Sequence, residues 1–252
     1  MTTPATRGAT MPEKAPVAAS PHPEDAGDSQ AALLNKLRAA VLGANDGIIS
    51  TAGLVMGVAG ATTNLLALAT AGIAGLVAGA LSMAAGEYVS VSAQRDSERA
   101  LLAKESHELA TMPEEELAEL ADLLQRKGIS EDVAKTAAQQ LMDHDALGAH
   151  ADLELGIDQH DLVSPWAAAI SSLFSFSIGA LIPLLAMLLA PADIRVGATV
   201  ASVLLALFVT GFVSARVGGA PVLPAIVRNI LGGFLAMAVT FGIGTLVGTQ
   251  LG

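Results

Sequence analysis

The sequence predicts an all-α integral membrane protein, with five transmembrane helices and a small cytoplasmic helical module between the second and third. Three observations predict it. Of the 252 residues, 52% are hydrophobic and only 15% are charged, against about 25% charged in an average soluble domain. The apolar residues gather into five stretches, each near the 20 or so residues that a helix needs to cross a bilayer. The charge is also concentrated. Residues 96–161 hold 17 of the 24 acids against five bases, Arg99, Lys104, Arg126, Lys127 and Lys135. One acidic insert therefore interrupts a nearly neutral apolar body. The expected boundaries are a disordered tail over 1–35, spans one and two over 36–94, the acidic module over 95–162, and spans three to five over 163–252.

Each element can be justified in turn. Residues 1–31 are rich in Pro, Ala, Thr, Ser and Asp and lack the apolar run of a signal peptide. The first span covers about Ala39–Ala61 and is interrupted by Asn45 and Asp46. The second covers about Leu65–Val91, and its helix should continue into water over residues 92–110 until Pro113 breaks it. In the next helix Leu117, Leu120, Leu123 and Leu124 share one face, with Glu116 and Glu119 off it. Lys127-Gly128 is a helix stop, and Ser130 is the expected cap of a helix with Val133, Ala137 and Leu141 in one stripe. A short helix over Ala146–Leu155 should close the module. The third span covers about Pro165–Ala190, with a kink expected at Pro183. The fourth covers about Val196–Ala215 and the fifth about Ala225–Leu251. Glycine pairs four apart, Gly43 and Gly47, Gly53 and Gly57, Gly75 and Gly79, predict close approach of helix backbones.

Basic residues set the orientation. Lys36 and Arg38 precede the first span, Arg95, Arg99 and Lys104 follow the second, and Arg216 and Arg228 lie between the fourth and fifth. On the other side only Arg195 is basic. The N-terminus and the acidic module should thus face the cytoplasm. An acidic chain has no footprint for nucleic acid, whereas it suits a cation partner. Without cysteine, any metal must be held by carboxylate, imidazole, thioether, carbonyl or water.

Asp46 is the most telling residue. A carboxylate inside a bilayer costs a few kcal/mol or more, and such residues mark ion and proton paths. Met83 and Glu87 lie four apart on the second span and so share a helical face. Two carboxylates and a thioether suit a transition ion better than Ca²⁺ or Mg²⁺. The module offers a second group. Glu105 and Glu108, Glu116 and Glu119, and His150 and Glu154 form pairs at helical spacing. Packed together they could hold divalent metal; left apart they are a solvated acidic face. His22, His107, His144 and His160 read as surface residues, as do Glu114, Glu115, Asp122, Glu131 and Asp132.

No catalytic template is present, neither a Ser–His–Asp arrangement nor a Gly-x-x-x-x-Gly-Lys phosphate loop. The chain therefore reads as a non-enzyme without a permanently bound cofactor. Exchange of metal for H⁺ at Asp46 or Glu87 fits a proton-coupled transporter.

The motifs resemble those of the vacuolar iron transporter family over about residues 36–251. Gly43-Ala44-Asn45-Asp46-Gly47 is close to the family's Gly-x-x-Asp-Gly. Leu81-Ser82-Met83-Ala84-Ala85-Gly86-Glu87-Tyr88 is similar to its Ser-Met motif. Lys104-Glu105-Ser106-His107-Glu108, then Met112-Pro113 and Glu116-Leu117-Ala118-Glu119, resemble its cytoplasmic metal-binding helices, and Leu153-Glu154-Leu155-Gly156 the end of that domain. The resemblance implies a five-span homodimer that moves Fe²⁺, and often Mn²⁺, out of the cytoplasm in exchange for protons. It implies that Asp46 and Met83 line the ion path and that Glu105, Glu108, Glu116, Glu119 and Glu154 bind metal. Plant members tend to carry a methionine near His150 and an acidic residue near Ile73–Gly75, where this chain has only Ala and Gly. The Ala- and Gly-rich composition points to a bacterial plasma membrane.

Two other readings make different predictions. A membrane-tethered iron sensor or chaperone would bind metal without flux. A ferroxidase would use the glutamate cluster, but the ferritin-like Glu-x-x-His pair is missing.

Overall fold

The computed structural model describes residues 23–158 and 164–251, with side chains from Ala40 to Gln250. All regular elements among the described residues are helices: α1 (Pro23–Ala61), α2 (Leu65–Thr111), α3 (Pro113–Arg126), α4 (Glu131–His150) with a π-helical turn (Ala151–Leu155), α5 (Pro165–Leu189), α6 (Arg195–Val217) and α7 (Val222–Leu251). Five of them, α1, α2, α5, α6 and α7, are long and apolar enough to cross a membrane. The tail expected over 1–35 falls outside the described residues through 22, and α1 starts ahead of the predicted boundary at Pro23. His160 also lies outside them.

Local chemistry explains the helix ends. Asn64 accepts hydrogen bonds from the Leu66 and Ala67 amides at 2.9 and 3.1 Å and starts α2, satisfying donors that the first turn leaves free. Ser164 does the same for Ala167 at the start of α5. Ser130 is a correction: it stands at the N-cap of α4, but its side chain makes no capping hydrogen bond. Gly128 and Gly156 adopt φ of +96° and +64°, the left-handed region in which a side chain is strained. They end α3 and the π-helical turn. The separate helix expected from Ala146 appears as a break within α4. Asp145 leaves helical geometry (φ −156°, ψ 89°) and its carboxylate accepts from the Gly148 amide at 3.0 Å, capping the second half. Pro183 is buried inside the unbroken run of α5.

α1 is the central span, packed on α5 and α7; α2 lies against α5, and α6 against α7. The shared core includes Ile48, Ala52, Val55, Met56, Leu184, Met187, Val203, Leu207 and Met237. Gly47 and Gly179 show how closely α1 and α5 approach. A Cβ on Gly47 would collide with the Phe176 carbonyl, and one on Gly179 with that of Ala44. Gly75 and Gly79 instead face side chains, Leu54 and Phe176.

α2 is one helix of 47 residues, about 70 Å long, more than twice the hydrocarbon thickness of about 30 Å. Its C-terminal part therefore stands clear of the membrane and carries the module. There α3 packs on α4 around Leu120, Ala121, Leu124, Ala134 and Ala138. Val133 is a second correction. It is 58% exposed, because the buried stripe of α4 is rotated by one residue onto Ala134 and Ala138. Tyr88 and Trp166, with ring centroids 4.9 Å apart, join α2 to the start of α5 near the level where the spans meet the module, a position that suits amphipathic rings at a membrane interface.

Candidate metal path and acidic cluster

Between α1, α2 and α5 lies a cleft of about 320 Å³, lined by Asp46, Ser50, Thr51, Leu54, Gly75, Gly79, Ser82, Met83 and Phe176. The helix period explains the α1 contribution: Asp46, Ser50 and Leu54 recur every four residues along one face. Asp46 and Met83, from separate spans, meet in this cleft. Asp46 is exposed, and Ser50 donates to its Oδ1 at 2.8 Å, which orients the carboxylate from one turn along. Glu87 is half-buried one turn beyond Met83 and is not among the lining residues. The cleft joins a carboxylate, three hydroxyls and a thioether, a donor set of mixed hardness open to first-row divalent ions.

The second site is centred on His150, which is completely buried. Its Nδ1 lies 3.0 Å from Glu105 Oε1, 3.2 Å from Glu154 Oε2 and 3.7 Å from Glu116 Oε2. The residues come from α4, α2, the π-helical turn and α3. One ligand atom each from Glu105, His150 and Glu154 fall within 4.8 Å of one another, so the three could share one ion. Only the Glu154 contact has hydrogen-bond geometry; Glu105 Oε1 and His150 Nε2 have no hydrogen-bond partner among the described residues. Buried polar atoms left so are rare in folded proteins and call for an explanation, which a cation held between these side chains would supply. The π-helical turn, an uncommon element found often at functional sites, carries Glu154 to the cluster.

Electrostatics sharpen the picture. Burial pushes the Glu105 carboxyl above its ordinary value, with Glu154 adding to the rise and His150 opposing it. Burial likewise raises Glu116, again against His150. Glu105 and Glu116 are 3% and 6% exposed. Several acids compressed around one imidazole would be relieved by a cation.

The other candidates are arranged differently. Glu108 is half-buried and bound to Lys104 at 2.6 Å. Glu119 is exposed on α3, yet its charge still reaches Glu116. The expectation that Glu116 and Glu119 both stand off the packed face is corrected for Glu116, which is buried against the end of α2. His107, His144, Glu114, Glu115, Asp122, Glu131 and Asp132 are exposed, and Asp122 and Glu131 pair with Arg126 and Lys135 on their own helices. Sequence reasoning passed over Ser50, Thr51 and Ser82. Ser50 stands one turn from Asp46 and Ser82 next to Met83, and that was their signal; Thr51, five residues from Asp46, had none.

Comparison with known proteins agrees with this architecture. The model of the VIT family matches residues 37–245. The chain is 44% identical over 211 residues to a protein of Acanthamoeba castellanii named vacuolar iron transporter, covering 83% of this chain and 78% of that one. It is 38% identical over 215 residues to vacuolar iron transporter homolog 1 of Arabidopsis thaliana, covering 85% and 84%. VIT-like transporter 1b of Glycine max is 39% identical over 215 residues, covering 85% and 77%. A family model that spans all five membrane helices together with the module, and relatives that align over most of both chains, make this chain a member of the VIT family.

Proposed function

We propose that this chain moves divalent metal, Fe²⁺ and also Mn²⁺, out of the cytoplasm in exchange for protons. The observation that carries the reading is the meeting of Asp46 and Met83, from two spans, in one cleft. The relatives that it resembles are named as iron transporters. In this mechanism the Asp46 carboxylate binds the ion with the Met83 thioether. Protonation of Asp46 on the far side removes the negative charge, releases the ion and carries H⁺ back. Glu87 stands one turn nearer the cytoplasmic mouth and hands ions between water and the cleft. The glutamates of the module, Glu105, Glu108, Glu116, Glu119 and Glu154 with His150, collect metal before entry.

The basic residues Arg95, Arg99, Arg216 and Arg228 support a cytoplasmic module under the positive-inside rule. A homodimer fits the cleft: Asp46 is exposed in the single chain, and a second copy would shield it from lipid. The Ala- and Gly-rich composition favours a bacterial plasma membrane, while the relatives' names speak of a vacuole; in either membrane the ion leaves the cytoplasm. The test is metal entry into proteoliposomes holding a pH-sensitive dye, with Fe²⁺ or Mn²⁺ outside. Wild type should take up metal against an opposite proton movement, and Asp46→Asn should not. Metal binding without flux in wild type would favour instead a membrane-tethered sensor or chaperone, a reading that the His150 cluster alone would support.

A further inference from the structure

Thr51 is 2% exposed and its Oγ1 has no hydrogen-bond partner among the described residues. Five other threonines in the spans behave differently. Thr199, Thr210, Thr240, Thr245 and Thr249 each donate to a backbone carbonyl three or four residues earlier in their own helix. That is the usual way to satisfy a hydroxyl inside a helix. Thr51 does not make this bond, and it lines the cleft that holds Asp46 and Met83. A buried hydroxyl without a partner has lost its hydration and gained nothing in return. Threonine is kept there at a cost that valine, of the same shape, would not incur. The cost is recovered if something in the cleft uses the oxygen.

We infer that Thr51 is a binding residue of the metal path, its hydroxyl oxygen serving the passing ion directly or through one retained water. This rests on the transport reading above. Asp46 gives charge and Met83 gives a soft donor, but one carboxylate and one thioether leave most of a divalent ion's coordination unfilled. Ser50, which donates its proton to Asp46, and Ser82 also offer oxygens to the cleft. Thr51 adds a neutral oxygen without a partner to the same lining, so the ion need not lose its whole hydration shell at once.

The test compares wild type, Thr51→Val and Thr51→Ser in the same proteoliposomes with Mn²⁺. Thr51→Val should raise the KM for Mn²⁺ by about three- to tenfold, the scale of one lost polar ligand contact, with maximal flux within about twofold of wild type. Thr51→Ser should behave as wild type. In detergent, metal-free Thr51→Val should melt no lower than wild type, because an unpaired hydroxyl has been removed, and Mn²⁺ should raise its Tm by less. Normal KM in Thr51→Val would overturn the inference while leaving transport intact. Loss of flux and of metal-free stability in both variants would overturn it too, by assigning Thr51 to packing. Absence of flux in wild type would sink the transport reading and this inference with it.

Discussion

In the cleft, Asp46 stands exposed with a single serine hydroxyl on its carboxylate, whereas in the module Glu105 and Glu116 are buried against one histidine and against each other. In the proposed function the two regions use carboxylates to opposite ends. Few and loosely held donors suit an ion that must leave; one acid and one thioether bind weakly enough to release. Crowded, buried acids suit an ion that stays until it is displaced. The contrast predicts that metal affinity is set by the number of carboxylates each region brings together and by their burial.

The comparison breaks most readily at Asp46. Replacing it with Asn should lower metal flux by about a hundredfold, the counterpart of the few kcal/mol at which an intramembrane carboxylate is valued, while Mn²⁺ binding by the module persists; equilibrium dialysis beside the flux assay checks both. Next comes the module. Glu105→Gln with Glu154→Gln should weaken Mn²⁺ binding by at least about tenfold, since ligands weigh no less than outer-shell groups whose loss costs about 10–100-fold. Flux at saturating Mn²⁺ should survive. Loss of flux at all concentrations would mean that the two regions form a single site.

A smaller effect follows from pH. Glu105 and Glu116 have folded-state values raised above the ordinary 4.5, so folding disfavours their charged forms. What these two acids contribute to the stability of the metal-free module should be greatest below about pH 4.5 and fall as pH rises through the raised values. Bound metal holds both acids ionised, so stabilisation by Mn²⁺ should grow over the same rise. Melts with and without Mn²⁺ across this window test the sign. Smallest of all, Lys135→Ala removes an exposed pair with Glu131 at 2.6 Å and should leave both melting and metal binding unchanged, as isolated surface pairs do.

The spans were legible because length and apolarity are sufficient to define a membrane helix, and Asp46 because a lone carboxylate stands out in one. The module's helices were legible from leucine spacing. Which glutamates turn inward was not: Glu116 and Glu119 lie three apart, and only the packing of α3 against α2 and α4 buries the first and exposes the second. Val133 failed for the same reason, since two neighbouring stripes on α4 were both apolar. Thr51 was invisible because hydroxyls are common in spans; what distinguishes it is a hydrogen bond that it does not make.

The unbroken run of α2 has one more consequence. Glu105 and Met83 lie on the same rigid helix, 22 residues and so about 33 Å apart. In the proposed function, an ion let go by the cluster therefore starts at a fixed distance from the cleft rather than at random in bulk water. In these terms α2 is a spacer of set length that holds the two candidate sites at a constant separation, with no requirement that they touch.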